Sequence, residues 1–161
     1  MNRVKSVILL TLLSVILMAI GGAFGGRSGA FTMLLVSFGI NFITYWNCDK
    51  IALAQYDAKY VSPLDVPELY DLVGKLCQNA KIPMPKLYVI PTDVPNAFAT
   101  GRNVNHAAVA ITEGLLSRLN KDELAGVISH ELSHIRHHDT LIMTLAASIA
   151  SAIGYIAQMA Q

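Results

Sequence analysis

Charge is the scarcest property of this chain: 14% of its 161 residues are Asp, Glu, Lys or Arg, against about 25% in a typical soluble domain. The shortage is uneven. Residues 1–48 hold Arg3, Lys5 and Arg27 and not one carboxylate, which argues against a water-exposed segment. Cysteine is nearly absent as well. Cys48 and Cys77 stand alone, at a spacing that suits neither a disulfide framework nor a metal knuckle. They read as packing residues and agree with a reducing compartment. A net charge of +1 gives no sign of nucleic-acid binding.

What fills the acid-free stretch is hydrocarbon. Val7 to Phe24 is uncharged and mostly aliphatic, nearly long enough to cross a bilayer core about 30 Å thick. A second uncharged stretch runs from Gly29 to Cys48 and reaches Tyr45-Trp46 near its end, as suits the aromatic belt of a membrane interface. Its polar Asn41 can bond to the neighbouring span. The Gly25-Gly26-Arg27-Ser28 link is so short that residues 1–48 are expected to form a transmembrane helical hairpin, with spans at about 7–24 and 29–48. Arg3 and Lys5 before a hydrophobic core would also suit a cleaved signal peptide, but the immediate second span favours a retained hairpin. Arg3, Lys5, Lys50 and Lys59 lie outside the hairpin turn, so the positive-inside rule places the N-terminus and residues 49–140 in the cytoplasm. A third apolar run over 141–161 predicts another span. It ends without flanking charge, and so reads as cut off.

Chemistry enters at His130-Glu131-Leu132-Ser133-His134. Positions four apart lie on one helix face about a turn from each other, so both imidazoles can meet one ion. Glu131 is one residue on and can act on water as a general base. The helix has its own signals. Asn120 can cap it while Glu123 reaches back in a capping box, and Leu124, Val127, Ile128, Glu131 and Ile135 follow helical spacing without a proline.

Catalytic zinc usually takes three protein ligands and a water. After His134 the chain offers His137, His138 and Asp139 and no glutamate. His137 shares the face of His130, but about 10 Å of helical rise separates them. No nearby glycine breaks the helix to bring a later histidine back. The third ligand is therefore missing, or lies beyond Gln161.

Between membrane and motif, residues 49–61 read as a helical extension of the second span. A helix with Pro67 at its start runs to about residue 80, with Leu69, Leu72, Val73, Leu76, Cys77 and Ala80 as its buried stripe. Lys86–Ile90 and Ala107–Thr112 are β-prone, and the segment between them is small and partly extended. His106, flanked by Asn103 and Asn105, belongs to a turn. Gly126 is expected to permit close packing against the metal helix. The fold class is therefore α+β, mainly helical: the hairpin, a small domain over 49–140 carrying the H-E-x-x-H helix, and the start of a third transmembrane helix.

In this order the residues resemble the HtpX-type integral-membrane zinc metalloproteases, relatives of the CAAX prenyl proteases. The likeness rests on the hairpin, Asn96-Ala97-Phe98-Ala99-Thr100-Gly101-Arg102, Ile111-Thr112-Glu113-Gly114-Leu115-Leu116, Asp122-Glu123-Leu124-Ala125-Gly126-Val127, the metal motif with Asp139, and the third apolar run. It implies a zincin-like domain with one Zn2+ per site, bound by His130 and His134, with Glu131 catalytic. It implies a multi-pass protein of the bacterial inner membrane that cuts misfolded or damaged membrane proteins on the cytoplasmic side. Its partners would be polypeptides and the lipid bilayer, with no nucleic acid, and a homo-oligomer is compatible. A glutamate on a later helix supplies the family's third ligand, and this sequence ends before that position.

Asn96, Ala97, Phe98 and Ala99 are the candidate substrate-binding edge, since such peptidases usually hold substrate as an added strand; an ordinary connection is the plainer alternative. Asp139, near 140° around the helix from His134, is no obvious ligand: it either orients a neighbour or caps the approach to the third span. Two other classes compete with the peptidase, namely an inactive membrane-anchored interaction module and a protein that completes its zinc site from a second chain.

Overall fold

The computed structural model describes residues 2–137, 139, 140 and 143. The span expected over 141–161 lies, Met143 apart, outside them. The chain divides into two compact units, Met1–Asn47 and Cys48–Gln161.

The first unit is formed by the part of helix α1 (Asn2–Ala54) up to Asn47; the backbone leaves helical values at Gly26 (φ 57, ψ −144) and again at Asn47. Gly26 lies in the left-handed region that only glycine enters without strain. The chain reverses there. Asn41 Nδ2 donates to Ser14 Oγ at 2.8 Å and to the Leu10 carbonyl at 3.3 Å, whereas a straight helix would hold these residues about 40 Å or more apart. Gly21 and Gly29 let the two arms meet, since a Cβ on Gly29 would collide with the Gly21 carbonyl. Val7–Ala54 is long and apolar enough to cross a membrane.

The second unit is built on a four-stranded sheet in the order β1-β2-β4-β3, from β1 (Lys59–Tyr60), β2 (Lys86–Ile90), β3 (Ala97–Asn103) and β4 (His106–Thr112). Strands β2 and β4 are parallel, and the other two pairings are antiparallel. Helix α2 (Pro67–Ala80) starts on its proline, ends at Lys81 in the left-handed region, and buries Leu69, Val73 and Cys77. Together with α4 (Lys121–Arg136) it covers one sheet face, where Leu87, Ala99, Val109 and Ile111 meet Ile128, Leu132 and Ile135. On the other face Leu53 packs with Ile90, Ala108 and Ala110.

Several expectations need correction. Residues 49–61 are not all helical: α1 stops at Ala54, the Tyr56 and Ala58 N–H groups both bond to the Leu53 carbonyl, and Asp57 takes φ 49. The chain then pairs as β1, with Lys59 opposite Val89. The segment at 97–103 is a full strand. Ala99, Thr100 and Gly101 are buried in succession, so the alternation of a half-exposed strand is absent. A short helix, α3 (Glu113–Arg118), follows β4, capped by the Thr112 side chain accepting from the Leu115 N–H. Gly114 is required there, because a Cβ would collide with the Asp93 carbonyl. Gly126, by contrast, would meet open space with a Cβ and makes no close packing.

Candidate metal centre and its edge strand

Helix α4 carries the motif, and its start is well secured. Asn120 Oδ1 accepts from the Asp122 and Glu123 N–H groups at 3.0 Å each, while Glu123 Oε2 accepts from the Asn120 N–H at 2.9 Å. From that cap the helix buries Ile128, Glu131, Leu132 and Ile135. His130 and His134 consequently stand together at the opposite margin.

The two imidazoles face each other through Nε2 at 3.2 Å, with ring planes at 87°. Bonds of about 2.0–2.1 Å in tetrahedral array put two zinc ligands roughly 3.3 Å apart. The pair thus fits one edge of a zinc tetrahedron. Among the described residues no third His, Cys, Asp or Glu joins them, so the pair could provide at most two of the three protein ligands that a catalytic zinc usually takes.

Glu131 is 9% exposed, and its Oε2 accepts from the Ala99 N–H at 3.0 Å. This links the motif to the segment expected to bind substrate. Strand β3 is paired on one side with β4, and among the described residues no strand lies against its other side. Backbone groups alternate along an antiparallel strand. Asn96 turns toward β4, where its carbonyl accepts from the Thr112 N–H at 3.0 Å and its N–H donates to Thr112 Oγ1 at 2.9 Å. Phe98, opposite Ala110, follows the same sense, and its ring lies 5.1 Å from that of Tyr56. Ala97 and Ala99 therefore present their N–H and C=O groups to the outer edge. Two of the four expected substrate-binding residues face that edge, and two face inward.

Asp139 needs a different account from helical geometry. Helix α4 ends at Arg136, with His137 as its C-cap at φ −84, ψ 0. Asp139 is therefore no longer on the helix. Its N–H donates to the His134 carbonyl at 3.0 Å, and its Oδ2 comes to 3.7 Å from His134 Nδ1. That nitrogen faces away from the paired Nε2 atoms, so Asp139 can orient the ring while leaving the metal edge open. His106 begins β4, and its Nδ1 lies 3.0 Å from Asn103 Oδ1 at the β3–β4 turn. Thr140, which no motif marked, is buried and donates to the Gly101 carbonyl at 2.7 Å.

Residues 63–161 match peptidase family M48. The chain is 51% identical over 160 residues to a protein named Protease HtpX homolog from Desulfatibacillum aliphaticivorans, across 99% of this chain and 52% of that one. It is 49% identical over 160 residues to the Protease HtpX homolog of Thermodesulfovibrio yellowstonii, across 99% and 57%. With the homolog of Pelotomaculum thermopropionicum it shares 50% identity over 161 residues, across 100% and 57%. The chain thus spans between 52% and 57% of the length of these relatives.

Proposed function

From the premise that this chain belongs to peptidase family M48, we propose that it forms part of an HtpX-type, membrane-anchored, zinc-dependent endopeptidase. The observation that carries the reading is the His130–His134 pair, set at zinc spacing beside a buried Glu131 that touches an open strand edge.

A zinc ion held by His130 and His134 would supply Lewis acidity, polarising the scissile carbonyl and easing deprotonation of water. The protein's own residues do the rest. Ala97 offers its N–H and C=O, and Ala99 its C=O, to an extended polypeptide that adds to β3 with few sequence demands. Glu131 holds the Ala99 N–H through Oε2 and serves as the general base. It takes a proton from the attacking water as the C–O bond forms, then passes it to the amine as the C–N bond breaks. Asp139 steadies the His134 ring.

The membrane reading rests on the first unit. Phe24, Phe31, Phe38, Phe42 and Trp46 are exposed along it, an apolar surface far beyond what water-facing proteins tolerate. Residues 1–48 act as a transmembrane hairpin and 49–140 as the N-terminal part of a cytoplasmic zincin-like domain. Substrates are misfolded or damaged membrane proteins reached from the cytoplasmic side.

The test is Glu131→Gln in the intact protein, purified in detergent with zinc and offered unstructured casein. Zinc content should stay at the wild-type level while cleavage disappears; cleavage that persists would refute the assignment.

A further inference from the structure

Thr140 is 2% exposed, although it is polar and lies just past the cap of the metal helix. Its hydroxyl donates to the Gly101 carbonyl at 2.7 Å, across 39 positions of sequence. That carbonyl belongs to the side of β3 turned away from β4. It lies two residues along the edge from the Ala99 N–H that Glu131 holds, about 6–7 Å away in an extended strand. Two side-chain-to-backbone bonds, one from within the metal helix and one from just after it, thus hold the same short stretch of edge. The strand also changes course here. Gly101 has φ 128, a Cβ on it would collide with the His106 carbonyl, and the pairing register shifts between Gly101 and Asn103. Such an irregularity bends and twists a strand, making Gly101 the point where β3 could swing against α4.

We infer that Thr140 is a positioning residue for the peptidase site. Its hydroxyl fixes the outer edge of β3 against the metal helix, so that Ala97 and Ala99 meet an added polypeptide at a constant distance from His130 and His134. The inference rests on the peptidase reading above and adds to it a residue outside the H-E-x-x-H motif. Thr140 acts through Gly101 and the strand, without touching the reacting atoms. Loss of its hydroxyl leaves the edge with the same groups to offer substrate, but less accurately placed. The effect therefore falls on kcat more than on KM, since misplacement of about 1 Å can cost on the order of a hundredfold in rate.

The experiment compares Thr140→Val, which keeps the shape and loses the hydroxyl, with Thr140→Ser, which keeps the hydroxyl and loses the methyl. Both are made in the intact, zinc-loaded protein in detergent and assayed on labelled casein well below the melting temperature of each variant. In T140V kcat should fall about tenfold or more with KM within about threefold, and T140S should stay within about twofold of wild type in both. A folded T140V with wild-type kcat overturns the inference, as does a T140S as impaired as T140V. Should T140V fail to fold, Thr140→Ala against T140S makes the same comparison, and equal kcat values overturn it. Glu131→Gln, run alongside, separates the two claims. Cleavage by E131Q removes the peptidase reading itself, whereas a silent E131Q with an unimpaired T140V removes only the role of Thr140.

Discussion

Glu131 meets two demands that usually conflict. The proposed role would have its carboxylate act on water, yet a buried carboxylate needs a compensating donor. The Ala99 N–H supplies that donor at 3.0 Å. The cysteines make no comparable claim, because burial pushes the Cys77 thiol up from its ordinary value and keeps it in the unreactive form. Gly126 is exposed in mid-helix, with nothing near the position of an added Cβ. Gly126→Ala should therefore stabilise the second unit by about 0.5–1 kcal/mol through helix propensity, read as a higher urea midpoint with an unchanged slope. A lower midpoint would mean that the glycine serves packing after all. At this scale the pairing of His130 with His134 could be read directly, because a spacing of four is a property of the helix alone. Thr140 could not, since its partner lies 39 positions away.

Among the elements, α4 is the most self-sufficient. Its capping box, apolar stripe and histidine spacing all lie within one run of sequence, and the structure places them as that run implies. Asn120→Ala removes the acceptor for two N–H groups and should cost about 1 kcal/mol of stability. Zinc stoichiometry should be unaffected, because the cap lies more than two turns from His130. Thermal melting together with metal analysis checks both halves, and a loss of zinc in a folded variant would tie the cap to the site. Strand β3 is the opposite case. Its run of Ala, Phe, Ala, Thr and Gly has weak β preference and no alternation, because the sheet is covered on both faces there and period-2 patterning fades. The early end of α1 was hidden for a similar reason. Residues 49–54 are helical in sequence and in fact, but β1 forms only because the β2 edge waits for it.

At the scale of the whole molecule, the chain divides into an acid-free apolar unit and a compact α+β unit. The first unit turns most of its large apolar side chains outward, an arrangement that water would penalise and lipid would not. The chain, expressed in bacterial cells, should accordingly stay with the membrane pellet after alkaline carbonate washing. Release into the supernatant would count against the hairpin as an anchor. The polar pairing of Asn41 with Ser14 and Leu10 matches this setting, since few other partners exist in hydrocarbon.

The sequence by itself determined what depends on neighbours along the chain: the apolar stretches, the capped helix α4, the histidine pair and Glu131 between them. Periodicity and capping act over one to four residues, so they are written locally. Only the tertiary structure decided which backbone groups stand opposite that helix. It placed Ala97 and Ala99 outward and Asn96 and Phe98 inward, moved Asp139 off the helix to His134, and brought Thr140 onto Gly101. Those outcomes depend on strand register and on where a helix stops, which contacts between distant segments settle.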